Sequence, residues 1–304
     1  MAEATRPHRE RQPLPVSLII PSRNRAEILV ETVASILAGD EIPAELIIID
    51  QSDEENSALA RLTAPGCRVR YNHSRATGSS RARNDGIAAA THRVLVFTDD
   101  DVRVAPDWLG RLVHALESAG KRSVVTGQVF PAEERAGGFV PSTKVDPDPA
   151  VYEGRVGEDI LYPHNMALHR DLFTEVGTFD VRLGGGARFA GAEDNDFCFR
   201  VLEAGYRILY VPGAVVHHRA WRSHADYLPL RWSYGRGQGG YYAKHMSLRD
   251  RHMLHRFTWE LRHRAGRMLR RLLRDPRRAT GEAVYLAGLV TGVAEWLVTQ
   301  RHSS

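Results

Sequence analysis

The chain has 304 residues, 43% of them hydrophobic, and a formal net charge of +4, values that suit an enzyme-sized globular protein with one large core or two modest ones. Its two cysteines, Cys67 and Cys198, lie far apart without metal-ligand spacing, so neither a disulfide framework nor a zinc site is indicated, which suits a reducing cytoplasm. The opening MAEATRPHRERQPLP is polar and rich in Arg and Pro, so it reads as a disordered leader over 1–15 and not as a secretory signal or membrane anchor.

Charge is unevenly spread. Residues 219–304 carry 17 Lys and Arg against 6 Asp and Glu, while the residues before them carry 24 against 31. An acidic body fits a site that holds a metal, and an Arg-rich tail points to phosphates, of anionic lipid or of nucleic acid.

In chain order, 16–20 (VSLII) reads as a first strand, followed by PSRNR and an amphipathic helix through Ile28, Val33 and Leu37. A second strand at 45–49 ends in Asp50, Gln51 and Ser52, and a third is expected at 69–72. Residues 77–90 read as a loop running into a helix. The stretch 94–101, VLVFTDDD, is a hydrophobic run that stops in three adjacent carboxylates. Val, Leu and Phe suit a strand buried on both faces and Asp does not, so the strand should end at Thr98 with the acids at its carboxyl end. Neighbouring carboxylates raise one another's pKa unless a cation sits among them, and a divalent metal carrying a diphosphate fills that role. The plainer reading is a solvated acidic turn before the helix that begins near Pro106.

A helix over 108–119 and a strand over 123–130 follow, then a Pro- and Gly-rich connection at 131–157. Strands alternating with helices imply a largely parallel sheet, with the polar ends at Asp50 and at Asp99–Asp101 along one edge. A Gly-rich approach, GGGARFAGA, leads to Glu193, Asp194 and Asp196 at the start of a helix. Acids in a first turn favour the helix dipole and serve as capping groups, which describes Asp196 best; Asp194 is the better candidate for chemistry. A strand at 206–211 then feeds into His217 and His218, which beside a carboxylate triad read as metal ligands in preference to structural histidines.

These blocks, IIPSRNR, IIIDQS, GSSRARNDGI, FTDDD, NMALHRDLF with VGTFD, GAEDNDFCFR and YVPGAVVHH, occur in an order that resembles the family 2 glycosyltransferases. The resemblance runs over about 16–219. It implies an α/β fold of the GT-A type, a Rossmann-like mostly parallel sheet flanked by helices. It also implies inverting transfer of a sugar from a nucleotide-diphosphate donor to an acceptor hydroxyl, with Mg²⁺ or Mn²⁺. Carried over residue by residue, Pro21 and Arg23 flank the base, and Asp50 or Gln51 recognises base or ribose. Gly78, Arg83 and Asn84 fall at a nucleotide-facing turn and helix start. Asp99, Asp100 and Asp101 match the DXD motif, with Asp99 nearer the ribose and Asp101 as metal ligand. Asp194 matches the catalytic base with Glu193 beside it. His218 is the preferred match to a histidine metal ligand, with His217 second. The catalytic domain is then 16–218 and a helical, Arg-rich extension occupies 219–304.

Two other classes compete. A nucleotidyltransferase would carry a Gly-rich phosphate loop after the first strand, and PSRNR has no glycine. A non-catalytic carbohydrate- or nucleic-acid-binding protein would need no base, against which stands the Glu193–Asp194 pair; no nucleic-acid partner is expected. In the extension, WSYGRGQGGYYAKH reads as an aromatic, Gly-rich loop or packed lid with Trp232, Tyr234, Tyr241 and Tyr242. Residues 248–278 form a basic amphipathic helix that either lies on an anionic membrane or packs on the catalytic domain. Residues 283–298 are apolar but short of a span, an interfacial or docking helix. The expected place is the cytoplasm, with peripheral contact on the inner face of the membrane and a lipid-linked glycan among the candidate acceptors.

Overall fold

A computed structural model describes residues 13–132, 142–219 and 222–301. Most of the leader and part of the 131–157 connection lie outside the described residues.

The first part alternates strand and helix as the periodicity implies: β1 (Pro13–Ser22), α1 (Ala26–Leu37), β2 (Ile42–Asp50), α2 (Ser57–Ala60), β3 (Arg68–His73), α3 (Ser79–Ala89) and β4 (Val94–Phe97). Then come β5 (Val102–Val104), α4 (Trp108–Ala119), β6 (Ser123–Pro131), β7 (Ala150–Tyr152), β8 (Met166–His169), α5 (Leu172–Val176), α6 (Glu193–Glu203) and β9 (Arg207–His218). Three long helices follow: α7 (Tyr227–His245), α8 (His252–Arg271) and α9 (Pro276–Arg301). β1 starts at Pro13, so 13–15 belong to the sheet and not to a leader: Pro13 and Leu14 pair with Ile42 and Pro43.

The strands form one sheet in the order β3-β2-β1-β4-β8-β6-β9-β5, with β7 added on β9. It is parallel from β3 to β4, and mixed beyond, where β8 runs antiparallel to both β4 and β6. Period-2 alternation explains why the central strands are apolar throughout. Leu18, Ile20, Leu46 and Ile48 face α1 and α4, while Ile19, Ile47, Ile49 and Phe97 face α3 and α6, giving a core on each side. Each such fully buried Leu or Ile contributes about 1.5–3 kcal/mol by removal from water. Because β2, β1 and β4 are parallel and Ser22 pairs with Asp50, their carboxyl ends lie along one edge.

The extension departs most from expectation. WSYGRGQGGYYAKH is not a loop but the body of α7, and two of its glycines, Gly235 and Gly239, are explained by the backbone of α9, while Gly237 meets the backbone of Gly191 and Gly240 the rings of Phe189 and Trp296. A Cβ at Gly235 would lie 2.2 Å from the Tyr285 carbonyl oxygen, one at Gly239 2.1 Å from that of Leu289, and one at Gly292 2.1 Å from that of Arg236. The two helices thus touch backbone to backbone. Tyr241 and Tyr242 are buried with Met253 and Leu289 in a core of their own, so neither can stack on a ligand. The expected 248–278 helix ends at Arg271, and the apolar 283–298 stretch is the interior of α9. With its true start at Pro276, the segment 276–299 is long and apolar enough to cross a membrane, by length and composition only.

Gly239→Ala should lower stability by about 2 kcal/mol. Overpacking of an unyielding backbone costs up to ~3 kcal/mol, and the better helix propensity of Ala returns about 1. Urea unfolding checks it; an unchanged midpoint would mean that α9 can step back freely.

Candidate active site

The carboxyl edge of the parallel strands opens into a cleft of about 620 Å³, a size suited to a small ligand. At its floor the Asp99–Asp101 turn is clamped from below. Asp100 is fully buried, accepts from the Ser22 hydroxyl at 2.6 Å and pairs with the Arg25 guanidinium at 2.6 Å. Burial pushes its carboxyl up to about 7 against the pull of Arg25, and the charges of Asp101 and Asp99 push the same way. Arg25 also holds Asp101, at 2.7 Å, and the Thr32 hydroxyl donates to the carbonyls of Asp100 and Val102. α1 therefore fixes the acidic turn through both backbone and side chains.

Asp101 faces the cleft, and the Nε2 of His218 is 3.5 Å from its Oδ1. The strand register brings them together, since Val102, the next residue, pairs with His218. Period-2 alternation turns His217 to the other side, where it stacks on Phe130 with ring centroids 5.9 Å apart. His218 Nδ1 lies 3.1 Å from the Ser142 carbonyl, which can only accept. That contact assigns the Nδ1 proton and, in the neutral ring, leaves Nε2 as the lone-pair nitrogen turned to Asp101. Burial opposes the imidazolium of His218, but Asp101 and the Ser142 carbonyl raise its pKa above the usual value. His164, not singled out in the sequence, is buried with its ring centroid 5.0 Å from that of His218. Its Nε2 makes no hydrogen bond among the described residues, and burial followed by His218 lowers its pKa to about 4.

The second constellation faces the first across one guanidinium. Arg83, 3% exposed on α3, donates to Asp99 at 2.8 Å and to Glu193 at 3.1 Å. Glu193 also accepts from the Ser79 hydroxyl at 3.2 Å. Asp194 lines the cleft, and burial together with the charge of Glu193 pushes its carboxyl up to about 8. Ala192, just before them, has φ 62°, a left-handed conformation that costs a residue with a Cβ about 1–2 kcal/mol. Asp196 makes no capping hydrogen bond. It is buried against Arg200, Lys244 and His245, joining α6 to α7.

Of the remaining candidates, Pro21, Arg23, Gln51 and Gly78 line the far end of the cleft. Gly78, at φ 127°, turns the chain into α3 and donates its N–H to Gln51 Oε1 at 2.9 Å. Asp50 does not face the cleft. It is 1% exposed, and its oxygens accept from Ser52 and from the Tyr71 hydroxyl at 2.7 Å. Asn84 also lies outside the lining, exchanging hydrogen bonds with the backbone of Phe179 at 2.8 and 3.0 Å. Asp100 sits beneath the floor and not on it. Sequence reasoning missed Arg25 and His164, both of which line the cleft, as does Tyr234 of the aromatic segment. Arg25 stood within PSRNR, and only its long-range partners disclose its role.

A metal fits the donor set at Asp101 and His218, one hard carboxylate and one imidazole nitrogen turned to it. Among the described residues no three His, Cys, Asp or Glu side chains gather as a complete cage, so other ligands of such an ion would come from substrate phosphates or water.

The half-parallel sheet, the acidic turn at its edge and the carboxylate helix facing it define a glycosyltransferase of the GT-A type. The solved mannosyltransferase PcManGT of Pyrobaculum calidifontis, in complex with GDP-Man and Mn²⁺, shares this fold with a TM-score of 0.65 at 19% identity, over 93% of this chain and 88% of that one. The profile of Glycosyl transferase family 2 matches residues 17–177, and that of Glycosyl transferase family group 2 matches 149–294. The chain is 30% identical over 222 residues to the glucosyl-dolichyl phosphate glucuronosyltransferase of Haloferax volcanii, covering 69% of this chain and 71% of that protein. It is 25% identical to the pre-mycofactocin glycosyltransferase of Mycobacterium tuberculosis over 72% of this chain, and spans 46% of that relative. The chain belongs to glycosyl transferase family 2.

Proposed function

We propose that the protein is an inverting glycosyltransferase that moves a sugar from a nucleoside-diphosphate donor to an acceptor hydroxyl. The observation that carries this reading is one cleft holding both the Asp99–Asp101 turn and the Glu193–Asp194 helix start, bridged by Arg83. Solved relatives bound to GDP-Man with Mn²⁺, and to UDP, support a donor of this class.

Pro21, Arg23 and Gln51 hold the base end, with Asp50 as scaffold behind Gln51 and the Gly78 turn beside it. Asp101 and His218 would hold Mg²⁺ or Mn²⁺, which when bound would supply charge stabilisation for the departing diphosphate. Asp99 and Arg83 position the ribose side. Asp194 takes the proton from the acceptor hydroxyl, with Glu193 keeping its pKa high and Arg83 anchoring Glu193. Attack from the face opposite the leaving group inverts the anomeric carbon in a single displacement.

A panel of nucleotide sugars, with and without Mn²⁺, scored for nucleoside diphosphate release by wild type and Asp101→Asn, tests the reading. Metal-dependent release from one donor is expected. In the same samples Asp101→Asn should weaken metal-linked binding of the nucleoside diphosphate roughly tenfold or more. Equal binding by both proteins would remove Asp101 from the metal site.

Peripheral membrane contact has its own observation. At the elbow between α8 and α9, Leu269, Leu272 and Leu273 are 65%, 55% and 93% exposed, beside Arg270, Arg274, Arg277 and Arg278. Leucines ringed by arginines suit the surface of an anionic bilayer, on the inner face of the membrane in a cytoplasmic protein. Leu272→Glu with Leu273→Glu should reduce flotation with phosphatidylglycerol vesicles at least tenfold, since each leucine contributes about 1.5–3 kcal/mol when buried. Undiminished flotation would move the contact elsewhere.

A further inference from the structure

Two strands each deliver a histidine to the acidic turn. β9 sets His218 beside Asp101, and the start of β8 supplies the second. β4 and β8 run antiparallel with Phe97 opposite Met166, and the same register carried two residues further sets Asp99 opposite His164. The Thr98 hydroxyl donates to the His164 carbonyl at 2.8 Å and locks that alignment past the last ladder pair. The next residue, Asn165, accepts from Trp108 Nε1 at 2.8 Å and donates to the carbonyls of Gln128 and Ala214 at 3.0 and 2.9 Å. The backbone carrying His164 is therefore fixed from both directions. His164 is 6% exposed and lines the cleft together with Asp99, Asp101 and His218. Its ring packs edge-on to Tyr162, with centroids 5.7 Å apart, and against His218 at 5.0 Å. These contacts serve the carbons of the ring. Its Nε2 is buried without a hydrogen bond among the described residues.

A buried nitrogen without a partner costs stability, and in a neighbourhood otherwise so fully paired it marks the place of a water or an ion. An ion held by Asp101 and His218 has coordination positions left for water. Among the described residues no three His, Cys, Asp or Glu side chains stand close enough to share one ion, which sets His164 a water away from it. A water polarised by a cation is a strong donor, and an imidazole nitrogen without its proton accepts from it. We propose that His164 is a positioning residue of the metal site, its Nε2 hydrogen-bonded to a water that the ion carries beside Asp101 and His218. The proposal rests on the reading of those two residues as metal ligands. Groups in this position orient what surrounds the ion and are worth roughly 10- to 100-fold in metal affinity.

Mn²⁺ titrated into the full chain, with and without GDP or UDP, tests it through loss of the free-ion EPR signal. His164→Phe keeps a ring and its packing but has no nitrogen. It should weaken Mn²⁺ binding roughly tenfold or more while the urea midpoint stays level or rises, because an orphaned buried nitrogen has been removed. A residue that only supported the fold would act in the opposite sense, losing midpoint and keeping affinity. His164→Gln, which returns a hydrogen-bonding group, should recover part of the affinity. Wild-type affinity in His164→Phe, or a loss of affinity that comes with a lower midpoint and is not relieved by Gln, would overturn the proposal. Asp101→Asn separates this failure from that of the metal site. Affinity lost in Asp101→Asn and kept in His164→Phe removes His164 alone, whereas affinity kept in both, or no Mn²⁺ binding by wild type, removes the site and the proposal together.

Discussion

Asp194→Asn is expected to cut turnover by roughly 10²- to 10⁴-fold while nucleoside diphosphate binding survives, the range for loss of a positioned general base. The isosteric amide keeps the shape of the α6 start but cannot take a proton. The pH dependence gives a second signature. Burial and Glu193 hold the Asp194 carboxyl up near 8, so it is largely protonated at neutral pH and works as a base only once ionised. Activity of the wild type should therefore rise with pH through about 8 and level off above it, and Asp194→Asn should lose that rise. Wild-type turnover in the variant, or the same pH profile in both, would assign the base elsewhere.

Arg83→Met is expected to cost about 3 kcal/mol of stability and most of the activity together. Removing one partner of a buried ion pair costs about 3–5 kcal/mol, and the lower figure applies because Asp99 keeps 26% of its side chain exposed. The substitution leaves Asp99 and Glu193 facing each other without their bridge. Arg83→Lys should recover charge but not function, since a point ammonium cannot reach both carboxylates in the fork geometry. Urea unfolding and turnover, measured side by side, check both; full activity in Arg83→Lys would mean that charge alone suffices.

Much of the first part was legible because its signals are local. The alternation in 16–20 and 45–49 and the stop from Phe97 into Asp99 fix strands and edge alike. The candidate residues that proved to line the cleft, from Pro21 to His218, stand at or near the ends of strands and helices, where a local pattern has a spatial meaning. What sequence could not disclose depends on partners far along the chain. Asp50 and Gln51 are equally polar at the end of β2, and only the Tyr71 hydroxyl and the Gly78 amide decide which one is scaffold. Arg25 finds the acidic turn 75 residues away. Asn84 meets Phe179 across 95 residues. The largest misreading, a loop at WSYGRGQGGYYAKH, came from weighing glycine as a breaker when its small size served a helix crossing that local composition does not encode.

That crossing has a bearing on solvent. A contact in which Gly235 and Gly239 admit the main chain of α9 draws on close-range dispersion more than on the release of water. Its strength should change little if the outer face of α9 meets hydrocarbon in place of water. The end of the cleft lined by Arg231 of α7 and Tyr285 of α9 would then keep its shape on either side of that transfer, and the protein would meet a surface without rebuilding its interior.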